Sequence, residues 1–236
     1  MFVQQIRLKT LAGLCAGVAL LTACGGGDDD SAVTESVVVA PAGYPVDAVL
    51  TALYTTNNHI LSTGFIDPAN LDNFYFTTEF SQEGTEVFEG AERQVAQVQT
   101  VQRRNGKVMS VGVARAYYST GPLTVYGQVD DDGNYSVHQL VAALPSKAQL
   151  GESGVWYRST NYTAADKTTV RQLTEVSWTV SATDKADLAW VCLKVVTKET
   201  INPDMTHASS SCIKADHSGR MVDAPPVAAA ASASAS

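Results

Sequence analysis

Strict two-residue alternation in residues 175–183 limits this chain to a small set of folds. Val176, Trp178, Val180 and Ala182 alternate there with polar residues. Because successive side chains of a β-strand point to opposite faces, this period places the apolar residues on one face and the polar residues on the other. A sheet with one buried and one solvated face is typically antiparallel. The segment therefore predicts a strand of an antiparallel sheet that covers a hydrophobic core.

Turn signals recur between further runs of Val, Thr, Tyr and Trp, from Asn105-Gly106 to Ser218-Gly219. Gly and Asn tolerate the positive φ of tight turns, so closely spaced signals predict consecutive hairpins. The runs between them predict strands at 74–80, 85–89, 107–118, 123–129, 134–142, 155–163, 168–182, 189–197 and 210–215. Residues 91–104 space their apolar residues nearly as a helix does, but their Val and Thr content and the Asn-Gly turn after them favour a strand.

Residues 44–58 follow a helical period instead. The apolar positions i, i+3, i+4, i+7 and i+8 are Val46, Val49, Leu50, Leu53 and Tyr54, which form one face of a helix. Pro45 and Asp47 suit its first turn, and Asn57-Asn58 suits its end. Residues 67–70 predict one further helical turn. The expected fold class is mainly β: an antiparallel curved sheet, sandwich or open barrel with a short N-terminal helix covering one face or one end.

Residues 1–23 have the pattern of a secretory signal peptide. Arg7 and Lys9 precede the apolar run 11–21, and the segment contains no acidic residue. This arrangement is typical of a segment that is removed on export. The apolar run has 11 residues, whereas crossing the hydrocarbon core as a helix takes about 20. It is therefore too short for a permanent membrane span.

The motif Leu21-Thr22-Ala23-Cys24 resembles the lipobox of bacterial lipoproteins. The resemblance implies cleavage after Ala23, a diacylglycerol on the Cys24 thiol and acylation of the new amino group, which would attach the chain to a membrane. Several acyl chains anchor a protein stably where one alone is marginal. In Gram-negative lipoproteins, Asp after the lipidated Cys marks retention in the inner membrane. Gly25 stands there, so the resemblance implies the outer membrane. An ordinary signal peptide followed by a chance Cys is the alternative.

Four segments follow from these patterns. They are a signal peptide (1–23), a lipidated Cys and flexible tether (24–43), a single β-rich domain (44–223) and a disordered tail of Ala, Ser and Pro (224–236). Three glycines and three aspartates open the tether, which gives it backbone freedom and self-repulsion. The tail has no apolar periodicity that buries a face. Because Ala is a strong helix former, a short capping helix is its alternative.

The cysteines predict one disulfide. Cys15 lies in the signal peptide and Cys24 in the lipobox, so Cys192 and Cys212 are the two thiols left for the folded part. In an oxidising compartment a bridge closing their loop contributes roughly 3 kcal/mol. A redox or metal site is the alternative, but neither CxxC spacing nor regularly placed His is present. We therefore expect the pair to fasten a hairpin.

Patterns that carry chemistry are weak in this chain. Nucleophile-elbow, P-loop, Rossmann and HExxH motifs are absent from the sequence, so we predict no catalytic residue, no metal site and no cofactor. His138 suits a general base or a residue of a polar strand face. His207 and His217, with Asp216, suit a metal cluster or solvated turns. Residues 130–134 suit a calcium loop or, since Tyr135 stands where that loop needs Gly, a hairpin turn.

Aromatic residues are concentrated in the middle of the chain and suit either a sugar- or peptide-binding surface or cross-strand core contacts. They are Tyr117, Tyr118, Tyr126, Tyr135, Trp156, Tyr157 and Tyr162.

Nucleic acid is not an expected partner of this chain. It contains 16 basic and 24 acidic residues, a net charge of −8, and binding a phosphate backbone takes clustered Lys and Arg.

The C-terminal half resembles uncharacterised proteobacterial lipoproteins. The similar features are Leu144-Pro145, the glycine-flanked turn 151–154, Asn161-Tyr162, Trp178 and the hairpin 192–219. This resemblance implies no activity. Together with the lipobox it predicts an envelope lipoprotein that acts as a binding or structural module for another envelope component and not as an enzyme. The alternative is a periplasmic carrier of lipid or another lipophilic ligand in a β half-barrel.

Overall fold

Strands dominate the folded part of the chain. The computed structural model describes residues 43–56, 59–66, 71–202 and 206–222. Of these, 67% lie in eleven antiparallel strands that form a curled half-barrel sheet, with one short helix before them. The expected mainly β class is confirmed. The elements are α1 (Val46–Thr55), β1 (His59–Ile66), β2 (Asn73–Phe88), β3 (Ala91–Arg104), β4 (Lys107–Thr120), β5 (Leu123–Asp130), β6 (Tyr135–Leu140), β7 (Ser153–Tyr162), β8 (Val170–Ala182), β9 (Leu188–Glu199), β10 (Thr206–Asp216) and β11 (Met221–Val222).

Several sequence predictions fall outside the described residues. These are the signal peptide 1–23 with its lipobox, the tether as far as residue 42, the helix end at Asn57-Asn58, the turn at 67–70 and the tail 224–236. The chain divides into two units, Met1–Val39 and Ala40–Ser236. Every described residue belongs to the second unit. The lipid anchor and the segment boundaries accordingly stay predictions.

The order of the strands in the sheet is their order in the chain, from β1 to β11. Tight turns make this arrangement possible. At the β3–β4 turn, Asn105 and Gly106 have φ of 50° and 81°, and two successive positive φ angles are what a two-residue hairpin turn with matching twist requires. The predicted series of hairpins is confirmed, and the register of each pair shows which side chains share a face.

Strand boundaries differ from the predictions at the N-terminal edge of the sheet. The predicted strands 74–80 and 85–89 are one strand, β2, which continues through a β-bulge between Gln82 and Gly84. A bulge adds a residue and shifts the alternation, so the sequence pattern is interrupted although the strand is not. No sequence pattern predicts β1, which forms by pairing along β2. Residues 91–104 form β3, as their Val and Thr content favours.

Helix α1 supplies the centre of the hydrophobic core. The side chains predicted to share one helical face are all buried, none more than 9% exposed: Val46, Val49, Leu50, Leu53 and Tyr54. Burying such a side chain contributes about 1.5–3 kcal/mol, so packing and not intrinsic propensity stabilises this short helix. Before the helix, Tyr44 exchanges backbone hydrogen bonds with Ala148 at 2.8 and 2.9 Å. In its last turn, the Tyr54 carbonyl accepts a hydrogen bond from the Tyr118 hydroxyl at 3.1 Å.

We call the face of the sheet that packs against α1 the core face. On β8 it carries Val176, Trp178 and Val180, which are buried as the two-residue period predicts, whereas Ala182 is exposed where the strand ends. The buried core-face residues lie toward the β4–β5 turn, which we call the helix end of the sheet. Toward the β3–β4 and β5–β6 turns, which we call the far end, core-face positions are occupied mostly by polar side chains.

The opposite face, called the outer face, carries a small second cluster. Phe88 is 3% exposed and stacks on Tyr117 and Tyr135, with ring centroids 4.3 and 5.1 Å apart. Gly127 makes room for this ring, because a Cβ at Gly127 would lie within 3.0 Å of ring atoms. Next to the ring, Glu89 accepts a hydrogen bond from the Tyr135 hydroxyl at 2.6 Å. The tip of the β2–β3 hairpin is thereby fixed against β4, β5 and β6.

The predicted disulfide is present in the structure. Cys192 and Cys212 are directly opposite each other on β9 and β10, and their sulfur atoms are bonded. Cross-strand neighbours are the closest residues of adjacent strands. The bridge therefore fastens the β9–β10 hairpin, as the sequence predicts.

Candidate functional site

Polar side chains replace the hydrophobic core at the far end of the core face. On β8, Thr174 and Gln172 share the face of Val176, and Thr174 lies opposite Thr197 of β9. Sequence reasoning missed these residues, although the alternation contains the signal. The residues two and four positions before Val176 are polar on a face that is apolar further along the same strand. A polar segment on an otherwise buried face needs hydrogen-bond partners or a ligand.

Hydrogen bonds join three strands across this polar surface. Ser159 Oγ donates to Asn161 Oδ1 at 2.8 Å, and Asn161 Nδ2 donates to Thr174 Oγ1 at 2.9 Å. The hydroxyls of Thr174 and Thr197 lie 3.0 Å apart. This series of hydrogen bonds holds each side chain in one orientation. Because an amide nitrogen carries two hydrogens and a hydroxyl accepts two hydrogen bonds, these groups can still form hydrogen bonds to a ligand.

These side chains line a pocket of about 310 Å³ on the core face, called the core-face pocket. Its wall also contains Gln128, Ser136, His138, Tyr157 and Gln172. The volume is at the lower end of the ~300–1,000 Å³ range of small-molecule sites. Amide and hydroxyl groups prevail in the lining, so the pocket offers both donors and acceptors without a concentration of charge.

His138 is the most unusual group in this wall. Its ring stacks on Tyr157 with centroids 4.4 Å apart and planes 11° from parallel. Burial lowers the pKa of His138 to about 4, and a hydrogen bond to the Val125 backbone partly opposes that shift. Nδ1 is buried with no hydrogen-bond partner among the described residues. A ring nitrogen of histidine accepts or donates a hydrogen bond according to the tautomer.

Ser159 lies directly opposite His138 in the β6–β7 register, which raises the question of a nucleophile and its base. The Ser159 hydroxyl donates to Asn161 at 2.8 Å, while His138 Nδ1 receives no hydrogen bond from the part of the chain that the structure describes. A general base needs a hydrogen bond to the group it activates. This geometry therefore suits binding through an unpartnered ring nitrogen better than activation of Ser159.

The metal hypothesis for the C-terminal histidines gains no support. His207 is exposed on β10, and His217 stacks on Tyr44 with ring centroids 4.2 Å apart. Within residues 43–56, 59–66, 71–202 and 206–222, no group of three His, Cys, Asp or Glu side chains is placed to hold a metal ion.

Residues 130–134 form the hairpin turn that the sequence favoured over a calcium loop. The Asp130 carboxylate accepts the backbone N–H groups of Asp132 and Asn134 at 3.1 and 2.8 Å. Gly133 has a φ of 82°. Asp130 is thus committed to its own turn, as an Asx-type turn residue commonly is.

The seven aromatic residues do not form a single surface, because the register separates them, and most of them make the core and cross-strand contacts that were the other interpretation of the sequence. Tyr118 and Trp156 belong to the core beneath α1. Tyr117, Tyr126 and Tyr135 belong to the outer-face cluster. Tyr157 and Tyr162 alone line the core-face pocket. The sequence shows that these rings exist, but which face each one occupies depends on bulges such as that between Tyr117 and Tyr118.

A second cavity lies on the outer face of β6–β9, an open groove of about 720 Å³. Val137, Leu173 and Val196 supply its apolar part. Arg158 and Glu175 form an ion pair beside them, with Nε and Oε2 2.9 Å apart. The groove is larger and more apolar than the core-face pocket, but its side chains are less enclosed.

Comparison with known proteins identifies no relative. No family model matches the chain, and no match was found among the curated proteins or the solved structures. None of the described segments is a helix long and apolar enough to cross a membrane.

Proposed function

We propose that this chain is a lipid-anchored envelope protein whose β-domain binds a neutral, polyhydroxylated ligand in the core-face pocket. The observation that carries the proposal is the hydrogen-bonded chain from Ser159 to Thr197 beside the buried, unpartnered Nδ1 of His138. A buried polar atom without a partner costs about 1–3 kcal/mol. A ligand hydroxyl, which both donates and accepts, can form the missing hydrogen bond and remove this cost.

The chemistry of the lining supports a ligand of the saccharide class. Hydroxyl and amide groups both donate and accept, as sugar hydroxyls do, so such surfaces complement each other over several bonds. Tyr157 and Tyr162 add apolar area beside the polar groups. Two charged residues, Asp130 and Arg171, also line the pocket. Asp130 accepts hydrogen bonds within its own turn, and Arg171 donates to Asn134 at 3.2 Å. Because their charges are opposite, the lining carries no net charge that favours a charged ligand.

Attachment at Cys24 and residence at the outer membrane are part of the same proposal. They rest on the lipobox resemblance of Leu21, Thr22, Ala23 and Cys24 and on Gly25. Both a periplasmic and a cell-surface position agree with that sequence. The partner of the anchor is a membrane, and the partner of the β-domain is a glycan or a glycan-bearing envelope component.

Saturation-transfer NMR on the full chain tests the binding proposal. N-acetylglucosamine and its β-1,4 dimer are the probes, and palmitate is the lipophilic comparison. We expect transfer to the sugars that is lost in Asn161→Leu, which removes the central member of the hydrogen-bonded chain. Thr160→Val is the matched control, because the neighbouring side chain faces the outer surface of the same strand. Binding that survives Asn161→Leu, or no sugar binding at all, refutes the proposal.

The outer-face groove favours a second candidate, the carrier of a lipophilic ligand. Its apolar residues Val137, Leu173 and Val196 fit an acyl chain better than the polar pocket does. Under this alternative palmitate gives the transfer signal, and Leu173→Gln abolishes it while Asn161→Leu leaves it unchanged. The same pair of variants thus separates the two functions.

A further inference from the structure

Strand β4 extends past the end of the strand that pairs with its second side. β3 pairs with β4 along nearly all of its length, whereas β5 pairs with it only from Ala114 onward. The last hydrogen bond on the β5 side is donated by the Asp131 N–H to the Val113 carbonyl at 2.9 Å. Residues 107–112 therefore form an open sheet edge, called the β4 edge, beside which the described part of the chain places no further strand.

The β4 edge is exposed and carries apolar side chains. All six of its residues are exposed, and Val108, Met109 and Val111 are 56, 57 and 50% exposed. Backbone groups of an antiparallel strand alternate between its two sides, so Val111 presents its N–H and C=O in the same direction as Val113. An open edge of this kind is a template for an added strand.

Opposite charges lie at the two ends of the β4 edge. Lys107 begins the edge, and the β5–β6 turn with the exposed Asp131 and Asp132 lies where it ends. Other charged groups nearby are engaged within the chain: Arg104 with Asp72, Arg103 with Thr77, Asp130 with its own turn and Arg171 with Asn134. Lys107, Asp131 and Asp132 have no ion-pair partner among the residues that the structure describes.

A second copy of this chain complements such an edge. When two segments 107–112 pair antiparallel about a two-fold axis, the first residue of each lies beside the last residue of the other. Lys107 of each copy then lies near Asp131 and Asp132 of the other copy, so both ends bring opposite charges together. A parallel pair would bring like charges together instead. Because the two open segments are equally long, the β3–β4 hairpin of each copy ends against the β5–β6 turn of the other.

We propose that the β4 edge joins two copies of this chain into a two-fold symmetric dimer, with one antiparallel sheet running through both. Main-chain hydrogen bonds at Val111 supply affinity, as in other strand-addition interfaces. The two symmetry-related charge contacts fix the antiparallel direction, since complementary charges set the register of an interface. Each copy uses this edge once, so the pairing closes at two copies and does not continue into a fibre.

Single cysteines on the β4 edge test the pairing and its direction in cells that express the full chain. Ser110→Cys lies near the middle of the edge and meets its own copy. Gly112→Cys lies at one end, about 17 Å from its copy in an antiparallel pair. We expect copper phenanthroline to give a disulfide-linked homodimer with Ser110→Cys and at least about tenfold less with Gly112→Cys, because a disulfide needs closely spaced Cα atoms.

Val87→Cys is the control for random collision, because Val87 is 74% exposed on another strand. The mass of the linked species identifies its two members. A Ser110→Cys homodimer no more abundant than that of Val87→Cys overturns the proposal. So does equal linking at Ser110 and Gly112, and so does linking of Ser110→Cys to a different protein in place of a second copy.

Charge reversal tests whether the ends of the two edges meet. In the Ser110→Cys background, Lys107→Glu should lower the homodimer yield at least about fivefold, because like charges then face each other. Asp131→Lys with Asp132→Lys should do the same. Combining all three substitutions should restore the yield, since opposite charges meet again. All three positions are exposed, so the fold should tolerate these changes. A yield that is unchanged by either reversal, or not restored by the combination, overturns the proposal.

Discussion

Replacing Gly127 with Ala should destabilise the protein by about 4 kcal/mol. The new Cβ lies 2.8 Å from Phe88 Cε1 and closer still to Phe88 Cζ and to the Ser136 carbonyl oxygen. Overpacking of this kind costs about 1–3 kcal/mol. If the Phe88 ring moves away, its stacks on Tyr117 and Tyr135 are lost as well, at about 0.5–1.5 kcal/mol each. Because Ser136 contributes a backbone atom, strand β6 has to shift even when the ring moves.

The change in the free energy of unfolding is measured by urea denaturation. Gly112→Ala is the matched control, since a Cβ at Gly112 of the same sheet meets no atom within 4 Å; we expect a change of less than about 1 kcal/mol there. In a Phe88→Ala background, Gly127→Ala should cost less, because residues in contact are not additive. A Gly127→Ala protein within 1 kcal/mol of wild type would refute the packing of Phe88 over Gly127.

Further predictions concern a histidine, the disulfide and the lipid. Burial lowers the pKa of His138 from 6.5 to about 4, so the unfolded chain binds a proton in this window that the folded chain does not. The free energy of unfolding should therefore be unaffected by this histidine above pH 6.5 and should fall by about 3 kcal/mol as the pH decreases to about 4. Urea titrations of His138→Gln at several pH values should lack this decrease. Cys192→Ala with Cys212→Ala should cost roughly 3 kcal/mol, and dithiothreitol should lower wild-type stability equally while leaving the double variant unchanged. Cells expressing Cys24→Ala should incorporate no palmitate analogue into the protein, and persistent label would disprove the anchor.

Local patterns in the sequence were sufficient for most of the fold. The helical face of α1 and the buried face of β8 follow from spacing alone, because a side chain's direction within one element depends on its position in that element. Asn105-Gly106 is equally local, since its positive φ angles are a property of the two residues. The disulfide followed from the number of cysteines and the expected compartment.

The candidate site was harder to predict because it depends on register between strands. The structure brings Asn161 within 2.9 Å of Thr174, which is 13 residues away in the sequence. It brings Thr174 within 3.0 Å of Thr197, which is 23 residues away. The polar residues on the buried face of β8 contain a signal for a gap in the core that sequence reasoning missed, and only strand pairing shows which partners reach them. His138 similarly could be placed on a strand, while its stacking on Tyr157 and its lowered pKa arise from the neighbouring strand.

The attachment of α1 to the sheet determines how the domain experiences mechanical load. If the chain is held at Cys24, tension enters the described part at Gly43 and is borne first by the two Tyr44–Ala148 backbone hydrogen bonds. Once these break, force acts on a helix whose five apolar side chains form the centre of the interior. Extraction of α1 would expose that interior to water. Pulling from the N-terminus should therefore open the hydrophobic core early, whereas the disulfide keeps the β9–β10 hairpin joined after the core has opened.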